Sequence, residues 1–129
     1  MTLSSKEQAI IAAVERNGQD IIDFTARLTC QNSTLGNEAG VCKVMEDELV
    51  NLGYAPIRVP IDPDRLAKHP GYAPVDWDYV EGDGRNNIVA VIKGQGNGSA
   101  RSALFNGHLD VVSAEPVDYW ETDPFTPTI

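Results

Sequence analysis

Residues 87–93 read Asn-Ile-Val-Ala-Val-Ile-Lys. A near-continuous β-branched run of this length is typical of a strand buried on both faces. Arg101 to Gly107 reads as the next buried strand. The intervening Gly94-Gln95-Gly96-Asn97-Gly98-Ser99 is a flexible turn. Its three glycines alternate, but no lysine and no helix start follow, which excludes a phosphate-binding loop. With the helical patterns that precede them, these strands imply an α/β sheet.

Ser4 and Glu7 stand three apart before an apolar pattern, the signature of a capping box. Ile10, Ile11, Ala13 and Val14 then recur at helical spacing. Asn17-Gly18 interrupts, and Asp20 opens a second helical stretch with Ile21, Ile22, Phe24, Ala26 and Leu28 on its apolar side. Cys30 to Thr34 reads as a loop. After Gly36, the residues Val41, Val44, Met45, Leu49 and Leu52 share one face of a third helix, with Glu38 in its first turn and Gly53 just past its end. From Tyr54 to Ile61 the period changes to two, which predicts a strand with one buried face. Pro56 and Pro60 put that strand at an edge. Asp62 to Arg85 has no sustained period and predicts a long loop pinned by His69, Tyr72, Trp77 and Tyr79. Beyond Asp110 the pattern is loop-like to Ile129.

The chain has 129 residues, room for one domain, and an apolar fraction of 42%, enough for a core. Its formal charge of −9 argues against a nucleic-acid partner and against an anionic membrane surface. No apolar run approaches transmembrane length, and Met1 to Gln8 has neither the basic nor the apolar region of a secretory signal. The expected location is therefore cytoplasmic. Cys30 and Cys42, eleven residues apart, match no zinc-finger or redox spacing and are expected as reduced, buried thiols.

Two polar groups interrupt the apolar pattern of Leu104-Phe105-Asn106-Gly107-His108-Leu109-Asp110-Val111-Val112. Sites in α/β sheets form at the carboxyl ends of strands, and His108 stands at that end of the predicted third strand. In an extended chain residues two apart face the same way, so His108 and Asp110 can converge. A ligating histidine commonly has its other ring nitrogen bonded to a carboxylate, carbonyl or water. Asp110 is placed to do this for His108 or for a ligand elsewhere. The bland alternative is a hydrogen-bonded core histidine and a loop-capping aspartate. One histidine and one aspartate cannot complete a zinc site, which needs at least three protein ligands. His69 is a conceivable second ligand. A Cys-His hydrolase would need a cysteine beside a base, and neither Cys30 nor Cys42 has that context.

The stretch from Leu104 to Val112 resembles the first metal motif of the acetylornithine deacetylase / succinyl-diaminopimelate desuccinylase family, which also includes aminoacylase and glutamate carboxypeptidase. Gly36-Asn37-Glu38, Asn86-Asn87-Ile88-Val89-Ala90, and Trp120 followed by Asp123-Pro124-Phe125 agree in order and spacing. The loop Lys68-His69-Pro70-Gly71-Tyr72-Ala73-Pro74-Val75-Asp76-Trp77 resembles one found in some deacylase-like members. The resemblance implies a three-layer α/β catalytic domain, with helices packed on a mixed sheet. It implies a hydrolase using one or two zinc ions, or cobalt, to cleave the amide bond of N-acyl amino acids or small peptides. His108 would be a metal ligand and Asp110 the partner that orients it. The family's bridging aspartate, its catalytic glutamates and its lid domain have no counterpart here. Residues 1–129 are thus expected to be an N-terminal portion of that domain, binding zinc weakly and hydrolysing nothing alone. The full-length enzyme is expected as a homodimer. The alternative is a non-catalytic remnant or binding module on the same scaffold.

Overall fold

Ser4 starts the fold as a helix cap. Its hydroxyl accepts from the Glu7 backbone N–H at 3.3 Å, and the Glu7 carboxylate accepts from the Ser4 backbone N–H at 2.7 Å. This reciprocal pairing is the expected capping box, and it opens α1, Ser5–Arg16. Asn17 closes α1 and precedes α2, Gly18–Thr29. The computed structural model describes residues 2–74, 84–94, 98 and 101–128.

The third helix, α3, covers Ala39–Asn51 and supplies the two apolar residues that are buried among the described residues, Val41 and Cys42. Val44, Met45 and Leu49 continue that face half-buried, while Leu52 is exposed. At the end of α3 the Gly53 N–H reaches the Val50 carbonyl and the Tyr54 N–H reaches the Leu49 carbonyl, both at 2.9 Å. Gly53 has φ +84°, the left-handed conformation that this termination requires.

Strand β1, Ile57–Pro60, pairs antiparallel with β2, Asn86–Val89, in the register Ile57↔Val89 to Pro60↔Asn86. Pro60 occupies the last pair, where its missing N–H removes no interior ladder bond. Helix α3 packs on β2 and on α2. Side-chain pairs fasten the layers: Arg27 on α2 with Glu48 on α3 at 2.5 Å, and Arg58 on β1 with Glu46 on α3, Nε to Oε1 at 2.8 Å. Among the described residues no helix is long and apolar enough to cross a membrane.

Strand β1 is exposed at all four residues, where one buried face was expected. Four further expectations change. First, the run 87–93 is a ladder only as far as Val89; Val91 and Ile92 are exposed and β2 is not buried on both faces. Second, the third strand is not formed: 101–107 has no ladder, and Leu104 and Phe105 are 92% and 95% exposed. A strand exists only where a second backbone completes its hydrogen bonds, and no described segment pairs with this one. The described sheet is thus two-stranded and antiparallel, within a mixed helix-and-sheet fold. Third, the long loop contains a short helix, α4, Pro63–Ala67, capped by the Asp62 carboxylate on the Arg65 N–H at 2.9 Å. Five residues are too few to display a period. Trp77 and Tyr79, and most of the turn at 94–99, lie outside the described residues. Fourth, Cys42 is buried as expected, but Cys30 is exposed; both are free thiols.

Candidate functional site

Ser33, in the loop between α2 and α3, joins that loop to the His108 stretch. Its hydroxyl donates to the Leu109 carbonyl at 2.9 Å, and its own carbonyl accepts from the Val111 N–H at 3.0 Å. Ser33 is 2% exposed. These two bonds tie Leu109 and Val111 to the loop between α2 and α3.

His108 and Asp110 converge, as their spacing predicts. The His108 Nδ1 lies 3.0 Å from the Asp110 backbone oxygen and 3.3 Å from its carboxylate oxygen Oδ1. The two side chains are 83% and 59% exposed, so the charge component of the contact is heavily screened. The hydrogen bond to the carbonyl is the shorter contact. A carbonyl can only accept, so the contact suits a ring with its proton on Nδ1, and in the neutral form of that ring Nε2 keeps its lone pair. An imidazole in that state can ligate a metal through Nε2.

Behind the clamp, the start of α3 is joined to the start of β2. Glu38 stands as the helix N-cap, one position before the first turn where its sequence position put it. Its Oε1 accepts from the Gly36 N–H at 3.0 Å, and its Oε2 lies 3.9 Å from Nε of the buried Arg85. The Cys42 thiol donates to the Asn86 carbonyl at 3.4 Å. Gly84 has φ +91°, and a Cβ there would stand 3.0 Å from the Ala39 Cβ. The positive φ and the close approach of Gly84 to Ala39 both favour glycine at 84.

Beyond the site, the Trp120 indole N–H donates to the Ala114 carbonyl at 2.9 Å, and Asp123 accepts from the Phe125 N–H at 2.8 Å. Trp120 and Pro124 line one side of a groove whose other side is Ile21, Ile22 and Thr25 of α2. His69 is engaged locally: its Nδ1 accepts from the Gly71 N–H at 3.1 Å. It lines a separate depression with Arg65 and Asn87. Among the described residues no three His, Cys, Asp or Glu side chains gather to hold a metal ion. The donor chemistry at His108 suits one ligand of such a site. Ser33 was not singled out by its sequence, because a serine in a polar loop gives no sign of a partner 76 residues away.

No protein-family model matches the chain. Curated relatives do. It is 42% identical over 53 residues to N-formyl-4-amino-5-aminomethyl-2-methylpyrimidine deformylase of Halalkalibacterium halodurans, covering 41% of this chain and 12% of that protein. It is 44% identical over 43 residues to succinyl-diaminopimelate desuccinylase of Polynucleobacter necessarius, covering 33% and 11% respectively. A longer match, 27% identical over 105 residues, joins it to the desuccinylase of Acidovorax ebreus and covers 81% of this chain and 24% of that one. The chain thus spans about a quarter or less of the length of these relatives.

Proposed function

We propose that the chain belongs to the acetylornithine deacetylase / succinyl-diaminopimelate desuccinylase family and contributes one metal ligand to a hydrolase of N-acyl amino acids or small peptides. The observation that carries this reading is the state of His108. Its Nδ1 is held by Asp110 and its Nε2 is left for a ligand. Relatives named for removing formyl and succinyl groups support the reaction class. Residues 1–129 would form the N-terminal part of a larger three-layer catalytic domain, and the complete enzyme would be a homodimer.

A zinc or cobalt ion held there would supply Lewis-acid polarisation of the scissile amide carbonyl. His108 would present Nε2 to the ion. Asp110 keeps the proton on Nδ1 and restrains rotation of the ring, and its carboxylate adds negative charge beside the imidazole. Since three convergent ligands are absent among the described residues, the other ligands and the general base are proposed to come from outside them.

The test is a paired substitution. In a protein extended to the length of its relatives, His108→Ala should remove bound metal and acyl-amino-acid hydrolysis together. Retained hydrolysis would sink the ligand assignment. The 129-residue chain should bind zinc weakly and show no turnover by itself.

A further inference from the structure

The two Ser33 bonds fall on the two peptide units that flank one residue, Asp110. The hydroxyl reaches the carbonyl of the Leu109–Asp110 unit; the Ser33 carbonyl takes the N–H of the Asp110–Val111 unit. That second unit also supplies the oxygen facing His108 Nδ1. In a trans peptide the N–H and C=O of one unit point in opposite directions. Drawing the Val111 N–H toward Ser33 therefore turns the Asp110 carbonyl the other way, toward the imidazole. The Ser33 hydroxyl removes the remaining freedom by fixing the preceding unit.

We propose that Ser33 is a positioning residue that fixes the His108 imidazole in its Nδ1–H tautomer by pinning both peptide units of Asp110. The tautomer follows from this geometry alone. Its consequence, an Nε2 ready to ligate, rests on the proposed metal reading. His69 provides an opposite case within the same chain. Its Nδ1 accepts a backbone N–H, so its ring proton sits on Nε2. The two histidines of the chain should differ in tautomer.

Imidazole nitrogen–proton correlation spectra of the full chain, recorded at alkaline pH so that neutral rings are compared, read this directly. The expected result is Nδ1–H for His108 and Nε2–H for His69. Ser33→Ala deletes the hydroxyl bond and keeps the backbone carbonyl bond, so it should shift His108 part of the way toward the Nε2–H form that an unrestrained imidazole prefers, leaving His69 unchanged. Ser33→Thr, which keeps the hydroxyl, should hold the wild-type pattern. An Nε2–H His108 in the wild-type chain overturns the proposal without any variant, so a failure of Ser33→Ala to fold does not shield it. An unchanged Nδ1–H His108 in folded Ser33→Ala overturns the part assigned to the Ser33 hydroxyl. A zinc titration separates the two levels. Affinity should fall roughly 10-fold or more in Ser33→Ala, and equal affinity overturns the positioning role. Equal affinity in wild type and His108→Ala overturns the metal reading instead, while the spectra still decide the tautomer.

Discussion

The hydrogen bond from Arg58 holds the Glu46 carboxyl below its ordinary value of 4.5, and bonds from the Ser4 hydroxyl and backbone N–H do the same for Glu7. A carboxylate depressed in the folded state adds stability that is complete above that ordinary value and disappears as pH falls through the lowered one. Acid titration should therefore show a loss of stability below pH 4.5 that is shallower in Glu46→Gln and in Glu7→Gln. Urea midpoints followed against pH would check this, and identical acid slopes in wild type and both variants would contradict it. At the same scale, the His108–Asp110 pair was legible because two residues of an extended chain share a side whatever surrounds them. Ser33 was not, since a hydrogen bond between segments 76 residues apart leaves no local pattern.

At the level of elements, two glycines can be ranked. Both lie at positive φ, Gly53 at +84° and Gly84 at +91°, but a Cβ at Gly53 meets nothing within 4 Å, whereas one at Gly84 meets the Ala39 Cβ at 3.0 Å. Gly53→Ala should cost about 1 kcal/mol or somewhat more, from backbone strain. Gly84→Ala should cost more, because the contact adds to the strain. Adding Ala39→Gly to Gly84→Ala should relieve the contact and leave the strain. Chemical denaturation of the four proteins would test the ranking, and equal costs at the two glycines would refute it. The helices were readable for a related reason. Caps, apolar spacing and a terminal glycine are written within each helix, as at Ser4, Glu7 and Gly53. The run 101–107 has the composition of a strand, but its ladder depends on a partner that the run cannot encode.

Across the whole molecule, apolar surface and charge oppose each other. Leu104, Phe105 and Val112 are 92%, 95% and 89% exposed, and among the described residues 101–107 forms no ladder. Such an edge favours association with another chain. The net charge of −9 resists it. Salt screens that repulsion, so sedimentation velocity should show self-association that grows with concentration and with added salt. Phe105→Lys should reduce it. A monomer at every concentration and salt would show that the segment is covered in solution.

Cys42 and Cys30 make the molecule its own clock. One thiol is 7% exposed and lies across the α3–β2 junction on the Asn86 carbonyl, while the other is open to solvent. An alkylating reagent should modify Cys30 at the pace of an ordinary thiol. Cys42 should wait for the junction to part. The ratio of the two rates, read by mass spectrometry, then counts how seldom that happens, with each tenfold delay equal to about 1.4 kcal/mol of opening free energy. Equal rates would mean that the frame behind Ser33 and His108 is open most of the time.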